Sequence, residues 1–412
     1  MTSPTAHNLA ANGNILYASP FDISLTNGPG INEREFVTSL FEAIGDRAHF
    51  VIPRPIGGLP VGIPQAHCTF SSPHRRHHPL HIIPHIVSQF RAIDNAIAER
   101  PYDLLIFRLG PLPISFLHAA LRRNVPIVLR HLSTGIATVF NERGGVVGRL
   151  LARPNRYLIS QVARRAILSD SVSEQDVQQV VSEYGVSKDR VVWIDNAVNT
   201  AKFFPTDTRS ARASLGLAHF QHLAGYVGNY AWRRGAAQLI EATPQLLRRF
   251  PSLGVIVLGS GRGMAQLQQR ANELGISRHC VFTGQIPYEM VPQYINAMDV
   301  GVSILEPREF AASEQKVRQY LACGKPVVAT PGSNEFLEAN ELGSVVAPND
   351  IQGVAQQLER WLLLDDSSRR DFQERALSFV DANFSSTRLM SHRLGMWSKV
   401  LNERFEPAHL SS

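Results

Sequence analysis

Short apolar runs alternate with longer stretches of helical period along nearly the whole chain, in two successive series. The first series carries NILYASPF (Asn14–Phe21), HFVIPRP, DLLIFRLG, VPIVLRHL, ARRAILSDS and DRVVWIDNAV, with EREFVTSLFEAI, PISFLHAALRRN and SEQDVQQVVSEYG as helices between them. The second carries LAGYVGN, LGVIVLGSG, HCVFTGQI, VGVSIL, KPVVAT and GSVVAP, interleaved with AAQLIEATPQLLRRF, GMAQLQQRANELG, YEMVPQYINAM, EQKVRQYLACG and DIQGVAQQLERWLLL. This alternation is the mark of parallel βα units. Two series predict an α/β chain of two doubly wound, Rossmann-like domains facing across a cleft, with ligands at the carboxyl ends of the strands. The expected division is 1–200 for the first domain, 201–222 for a linker and 223–380 for the second. A last amphipathic helix over 381–412 is expected to pack back on the first domain.

At 412 residues, each half is long enough to bury a core. Three cysteines (Cys68, Cys280, Cys323) are too few and too scattered for a disulfide framework or a cysteine zinc site, which points to a reducing compartment. No apolar run reaches the roughly 18 residues a membrane helix needs, and the first residues lack the pattern of a secretory signal. The expected location is therefore cytoplasmic. The net charge of +6 and the arginine pairs at 75–76, 122–123 and 164–165 suit peripheral contact with anionic lipid at the inner face of the plasma membrane. No nucleic-acid partner is expected. The stretch His67–His85 breaks the alternation with six histidines. His77 and His81 are spaced as a metal pair would be on a helix, but Pro73, Pro79 and Pro84 are expected to interrupt any helix there, so a solvated loop is the expectation.

Five places could carry chemistry. Gly28 and Gly30 lie in a glycine turn between strand and helix, where backbone can approach an anion. Gly228–Gly235, again between strand and helix, contains Arg233 and Arg234, whose guanidinium forks suit a diphosphate. Gly261 belongs to a third glycine loop, Gly259–Gly263. Ser313, Glu314 and Gln315 open a helix whose N–H groups and dipole suit phosphate, with Ser313 as the expected N-cap. His131 ends the buried run VPIVLRHL, at the carboxyl end of a strand.

In this order the elements resemble the GT-B glycosyltransferases of the large retaining class called family 4. GYVGNYAWRRGAAQLIEA resembles the basic diphosphate clamp, EQKVRQYLACGKPVVAT the donor helix, and RHLSTG and TNGPGINEREF the histidine-bearing and first glycine loops. The resemblance implies a nucleoside diphosphate sugar as donor substrate, with no separate cofactor, and a glycan or lipid-linked acceptor of the kind used in bacterial polysaccharide or glycolipid assembly. It places His131 near the donor sugar, Arg234 (with Arg233) on the diphosphate, Gly28 and Gly30 near diphosphate and acceptor, Gln285 and Ile286 around the nucleobase, and the backbone of 313–315 on phosphate.

Two departures stand out. Gln319 occupies the position of the family's ribose-binding Glu, and Ala311 that of its partner, with seven residues between them. A neutral amide still hydrogen-bonds a ribose, without the charge assistance that roughly doubles bond strength. Asn229 also stands where the family often has Arg. No Asp-x-Asp occurs, so no metal is expected on the diphosphate. The implied reaction retains anomeric configuration by a front-face route. A UDP-sugar epimerase of the same fold, and a GT-B protein that binds nucleotide or glycan without catalysis, are the alternatives.

Overall fold

A computed structural model describes residues 8–25, 28–72, 82–110, 112–122, 124–131, 145–228, 235–261, 263–305 and 314–405. The chain divides into two compact units. Unit one comprises residues 1–196 and 386–412, and unit two residues 197–385.

The strands of unit one are β1 (Ile15–Ala18), β2 (Ala48–Pro53), β3 (Cys68–Ser71), β4 (Leu104–Arg108), β5 (Ile127–His131), β6 (Leu168–Ser171) and β7 (Val191–Trp193). Its helices are α1 (Gly28–Ile44), α2 (Ile82–Glu99), α3 (Ile114–Arg122), α4 (Gly145–Arg165) and α5 (Glu174–Ser182). Unit two contains α6 (Thr208–Ser214), β8 (His222–Val227), α7 (Ala236–Leu247), β9 (Leu253–Leu258), α8 (Met264–Glu273), β10 (Cys280–Gly284), α9 (Val291–Ala297) and β11 (Val300–Ser303). It continues with α10 (Gln315–Ala322), β12 (Val327–Ala329), α11 (Phe336–Ala339), β13 (Gly343–Val345), α12 (Ile351–Leu362) and α13 (Asp366–Asn383). Helix α14 (Ser386–Phe405) belongs to unit one.

Both sheets are parallel wherever their strands pair. Unit one runs β3-β2-β1-β4-β5-β6-β7 and unit two β10-β9-β8-β11-β12-β13. In each, the order reverses beside the first strand, which opens a crevice at the carboxyl ends between β1 and β4 and between β8 and β11. Parallel strands bury both faces, and their near-continuous apolar runs follow from that. Alternate residues feed opposite cores in unit one. Leu16, Leu105, Phe107 and Leu129 meet α2, α3 and α4 on one side, while Ile15, Tyr17, Ile106 and Val128 meet α1 and α14 on the other. Helix α14 buries Leu394, Trp397 and Leu401 there.

Three local expectations need correction. Helix α1 starts at Gly28, so Gly28 and Gly30 form its first turn and not the turn before it. Neither has positive φ. Gly30 lacks a side chain for a packing reason, since a Cβ there would stand 2.4 Å from the Leu25 carbonyl oxygen. Pro84 does not stop a helix, because it is the third residue of α2, where its missing N–H would have no helical partner. The His67–His85 stretch opens with strand β3, and residues 73–81 lie outside the described residues. Segment 201–222 is part of unit two. There α6 is capped by Asp207, and Arg212 is bound to Asp299 at 2.7 Å and to the Ala297 carbonyl at 2.8 Å.

Candidate functional site

The crevice of unit two is built by glycines whose backbone conformation would strain any larger residue. Gly228 follows β8 with φ of 146° and donates to the Leu258 carbonyl at 2.9 Å. Gly235 opens α7 with φ of 110°, and a Cβ there would lie 2.8 Å from the Ile304 amide. The backbone entering α7 therefore lies against the end of β11 with no room for a side chain. Gly259 donates to the Gly284 carbonyl at 3.0 Å, which draws the loop after β9 to the end of β10. Gly261, with φ of 145°, and Gln285 are both exposed at these ends, and Ile286 is half-buried.

Helix α10 closes the crevice. Its N-cap is Glu314 and not the expected Ser313, and the Glu314 side chain does not cap. The Glu314 carboxylate instead accepts from the Ser303 hydroxyl and lies 3.2 Å from the Lys316 ammonium. Lys316 is buried, with Nζ 4.4 Å from the Tyr226 ring centre and 3.7 Å from where a Gly228 Cβ would sit. A cation thus stands over the first glycine of the Gly228–Gly235 loop, on the first turn of α10. One turn on, the Tyr320 hydroxyl accepts from the Val227 amide at 2.8 Å and ties α10 to β8. Gln319 is buried, and its amide donates to the Tyr288 hydroxyl at 3.2 Å. The Gln315 amide donates to the Ala197 carbonyl.

The sequence reading did not single out Lys316. Lys316 and Tyr320 are four residues apart and so share a helix face, but that this face meets β8 is a tertiary fact. Of the residues that it did single out, Arg233, Arg234 and Ser313 lie outside the described residues, as do Asn229 and Ala311. His131 is the last residue of β5, and its side chain lies outside the description. Glu314, Gln315 and Gln319 come together on α10, and Gly261 and Gln285 at the ends of β9 and β10.

Unit one holds a different cluster on the crevice between β1 and β4. Arg108, Arg130 and Asp170 are register partners across β4, β5 and β6, on the face covered by α1 and α14. Arg108 Nη1 lies 2.8 Å from Glu33 Oε1, and the Tyr17 hydroxyl donates to the same carboxylate. Asp170 Oδ2 accepts from Arg393 Nε at 2.8 Å and lies 3.8 Å from Arg130 Nε. All five charged side chains are buried. The Arg130 guanidinium stacks 3.5 Å from the Phe36 ring centre and that of Arg108 4.7 Å from Phe21. Burial pushes Arg108 and Arg393 below the ordinary arginine value, while Glu33 and Asp170 pull them back up. Burial, then the Glu33 charge, raises the Tyr17 phenol.

Among the described residues, no three His, Cys, Asp or Glu side chains converge as a metal would require. No helix among them is long and apolar enough to cross a membrane.

Residues 207–379 match the family described as Glycosyl transferases group 1. The GDP-mannose-dependent alpha-(1-6)-phosphatidylinositol monomannoside mannosyltransferase of Mycolicibacterium smegmatis is 28% identical over 224 residues, which cover 52% of this chain and 58% of that protein. The D-inositol 3-phosphate glycosyltransferase of Nocardia farcinica is 32% identical over 133 residues, 31% of this chain and 30% of that protein. The chain thus spans about a third to three-fifths of the length of these relatives. Among solved structures, Anabaena Alr3699/HepE in complex with UDP and glucose superposes with a TM-score of 0.71 at 18% identity, over 94% of this chain and all of that one. Sucrose-phosphate synthase from Thermosynechococcus elongatus gives 0.72 at 18%, over 95% of this chain and all of that one. Residues 207–379 are thus similar to group 1 glycosyl transferases, and the two Rossmann-like units of the chain are those of the GT-B fold.

Proposed function

We propose that the protein is a retaining, metal-independent glycosyltransferase that uses a nucleoside diphosphate sugar. The observation that carries this reading is the unit-two crevice, where Lys316, the α10 start, Gly228 and Gly235 converge at the strand-order reversal. A diphosphate needs fixed positive charge and close backbone N–H groups. Lys316 supplies the cation that Asn229 does not, and Arg233 and Arg234 add to it. Gln319, Gln285, Ile286 and Gly261 hold the nucleoside. In the reaction the bond from the sugar C1 to the diphosphate oxygen breaks and a bond from C1 to the acceptor oxygen forms. The acceptor proton passes to the departing phosphate. Positive charge where the leaving group gathers negative charge lowers that barrier. His131 positions the sugar, and Gly28 and Gly30 border the acceptor.

The relatives' names speak of GDP-mannose with phosphatidylinositol mannoside and of inositol phosphate, and a structural neighbour was solved with UDP. We take a GDP- or UDP-sugar as donor and a glycan or lipid-linked acceptor of polysaccharide or glycolipid assembly. Helix α4 exposes Leu150 and Tyr157 beside Arg153 and Arg156. An apolar and basic face of this kind suits peripheral contact with an anionic inner membrane leaflet.

The test is turnover of GDP-mannose and a panel of UDP-sugars, with a polyprenol- or inositol-lipid extract and chelator present. The reading expects sugar release or transfer from one nucleotide series, strongly reduced in His131→Ala and Arg234→Ala. Epimerised donor would point to the isomerase, and nucleotide binding without any turnover to the catalysis-free binder.

A further inference from the structure

Among its buried charges the cluster in unit one holds three guanidiniums against two carboxylates, and the half-buried Asp195 carboxylate also acts on Arg393. Its charges alternate except at one place. Glu33 pairs with Arg108, and Asp170 sits between Arg130 and Arg393, but Arg108 and Arg130 are neighbours on adjacent strands with no anion between them. Arg108 Nε and Arg130 Nη1 are buried and make no hydrogen bond among the described residues, and the same holds for Glu33 Oε1 and Asp170 Oδ1 at the outer sides of the two arginines. Aromatic rings hold both guanidiniums by their faces, which leaves N–H edges to serve a ligand. Leaving such donors buried and unpaired costs more than a typical hydrogen bond contributes. The arrangement also stands at the carboxyl ends of β4 and β5, beside the strand-order reversal where open parallel sheets receive ligands.

We propose that unit one carries an oxyanion subsite between Arg108 and Arg130, which takes a single phosphate or carboxylate group. One more negative charge there completes the alternation from Glu33 to Arg393 and balances the five buried charges. Within the transferase reading, and resting on it only to this extent, the oxyanion is a phosphate carried by the acceptor. The subsite itself needs no donor nucleotide.

Hydrogen–deuterium exchange of the full chain, with inorganic phosphate against chloride at matched ionic strength, tests this. Phosphate is expected to slow exchange about threefold or more in peptides covering 104–110 and 127–131. Arg108→Gln and Arg130→Gln should each abolish that protection. A phosphate bound in unit two registers instead in peptides covering 223–228 and 314–322, so failure of the donor reading and failure of this subsite are read separately. Glycerol phosphate forms a second arm. Protection by both compounds assigns the subsite to a phosphate-bearing acceptor, and protection by inorganic phosphate alone to the free ion. The wild-type protein suffices if the variants do not fold. Equal protection by chloride, no protection in these peptides, or protection that survives in a folded Arg130→Gln variant would overturn the proposal.

Discussion

Removing Arg393 and neutralising Asp170 break the same contact, but they should not cost the same. Arg393 donates to Asp170 at 2.8 Å and to the Ile194 and Asp195 carbonyls at 3.3 Å each. Arg393→Met leaves two buried guanidiniums facing two buried carboxylates, so the cluster loses a strong hydrogen bond while its buried charges come into balance, and the half-buried Asp195 loses a cation. Asp170→Asn leaves three buried guanidiniums with Glu33 as the one buried carboxylate of the cluster, and takes the Asp170 charge from both Arg130 and Arg393. Breaking a buried pair from one side costs about 3–5 kcal/mol. The balanced variant belongs near the lower figure and the unbalanced one at or above the upper. Equilibrium urea denaturation followed by tryptophan fluorescence reads this, because Trp397 is fully buried on α14 in the same core. A loss below about 1 kcal/mol for Arg393→Met, or a milder effect for Asp170→Asn, would refute the charge reasoning.

Gly30→Ala forces a Cβ to within 2.4 Å of the Leu25 carbonyl oxygen and should cost about 1–3 kcal/mol by denaturation. Gly28→Ala meets nothing within 4 Å and should cost nothing measurable, so equal losses would contradict the packing account. Lys325 donates to the Thr208 hydroxyl at 2.8 Å, and burial pulls its ammonium down from 10.5 to about 8, against the pull of Asp299. Between these values the unfolded chain keeps the proton that the folded chain has released. The residue's contribution to stability therefore rises with pH over that window, by at most about 3 kcal/mol. Denaturation of wild type against Lys325→Met from pH 7.5 to 10.5 should show the difference moving in favour of wild type, and a flat difference would contradict it.

Most of the fold was legible because buried parallel strands are short apolar runs, and these stand out at β1, β4, β5, β9 and β11. Strand β3, in contrast, is an edge strand set among histidines and prolines. Helix α4 has arginines throughout and Pro154 inside it, so it shows no clean apolar stripe in the sequence. The sequence places a last amphipathic helix over 381–412 against the first domain, but its start at Ser386 and the long-range contact that holds it, Arg393 with Asp170, are encoded by no local pattern. In unit two, the glycines were legible as loops but their purpose was not. The close approach of Gly235 to Ile304 is tertiary. Lys316 reads as a surface lysine until its helix is seen buried against β8. Arg108 and Arg130 each end an apolar run as a polar tip would, and only the strand register shows that they are neighbours.

The most direct measurement is calorimetric titration of GDP and UDP into the full chain with chelator present, repeated with guanosine and uridine and on Lys316→Met. One diphosphate should bind at one per chain. Lys316→Met should weaken that diphosphate about tenfold or more, the size of a charge-assisted contact, and leave the matching nucleoside unaffected. Absence of binding by either diphosphate, with chelator or with magnesium, would contradict the assignment of unit two as the donor site. Unchanged diphosphate affinity in Lys316→Met would contradict the place given to Lys316 within it.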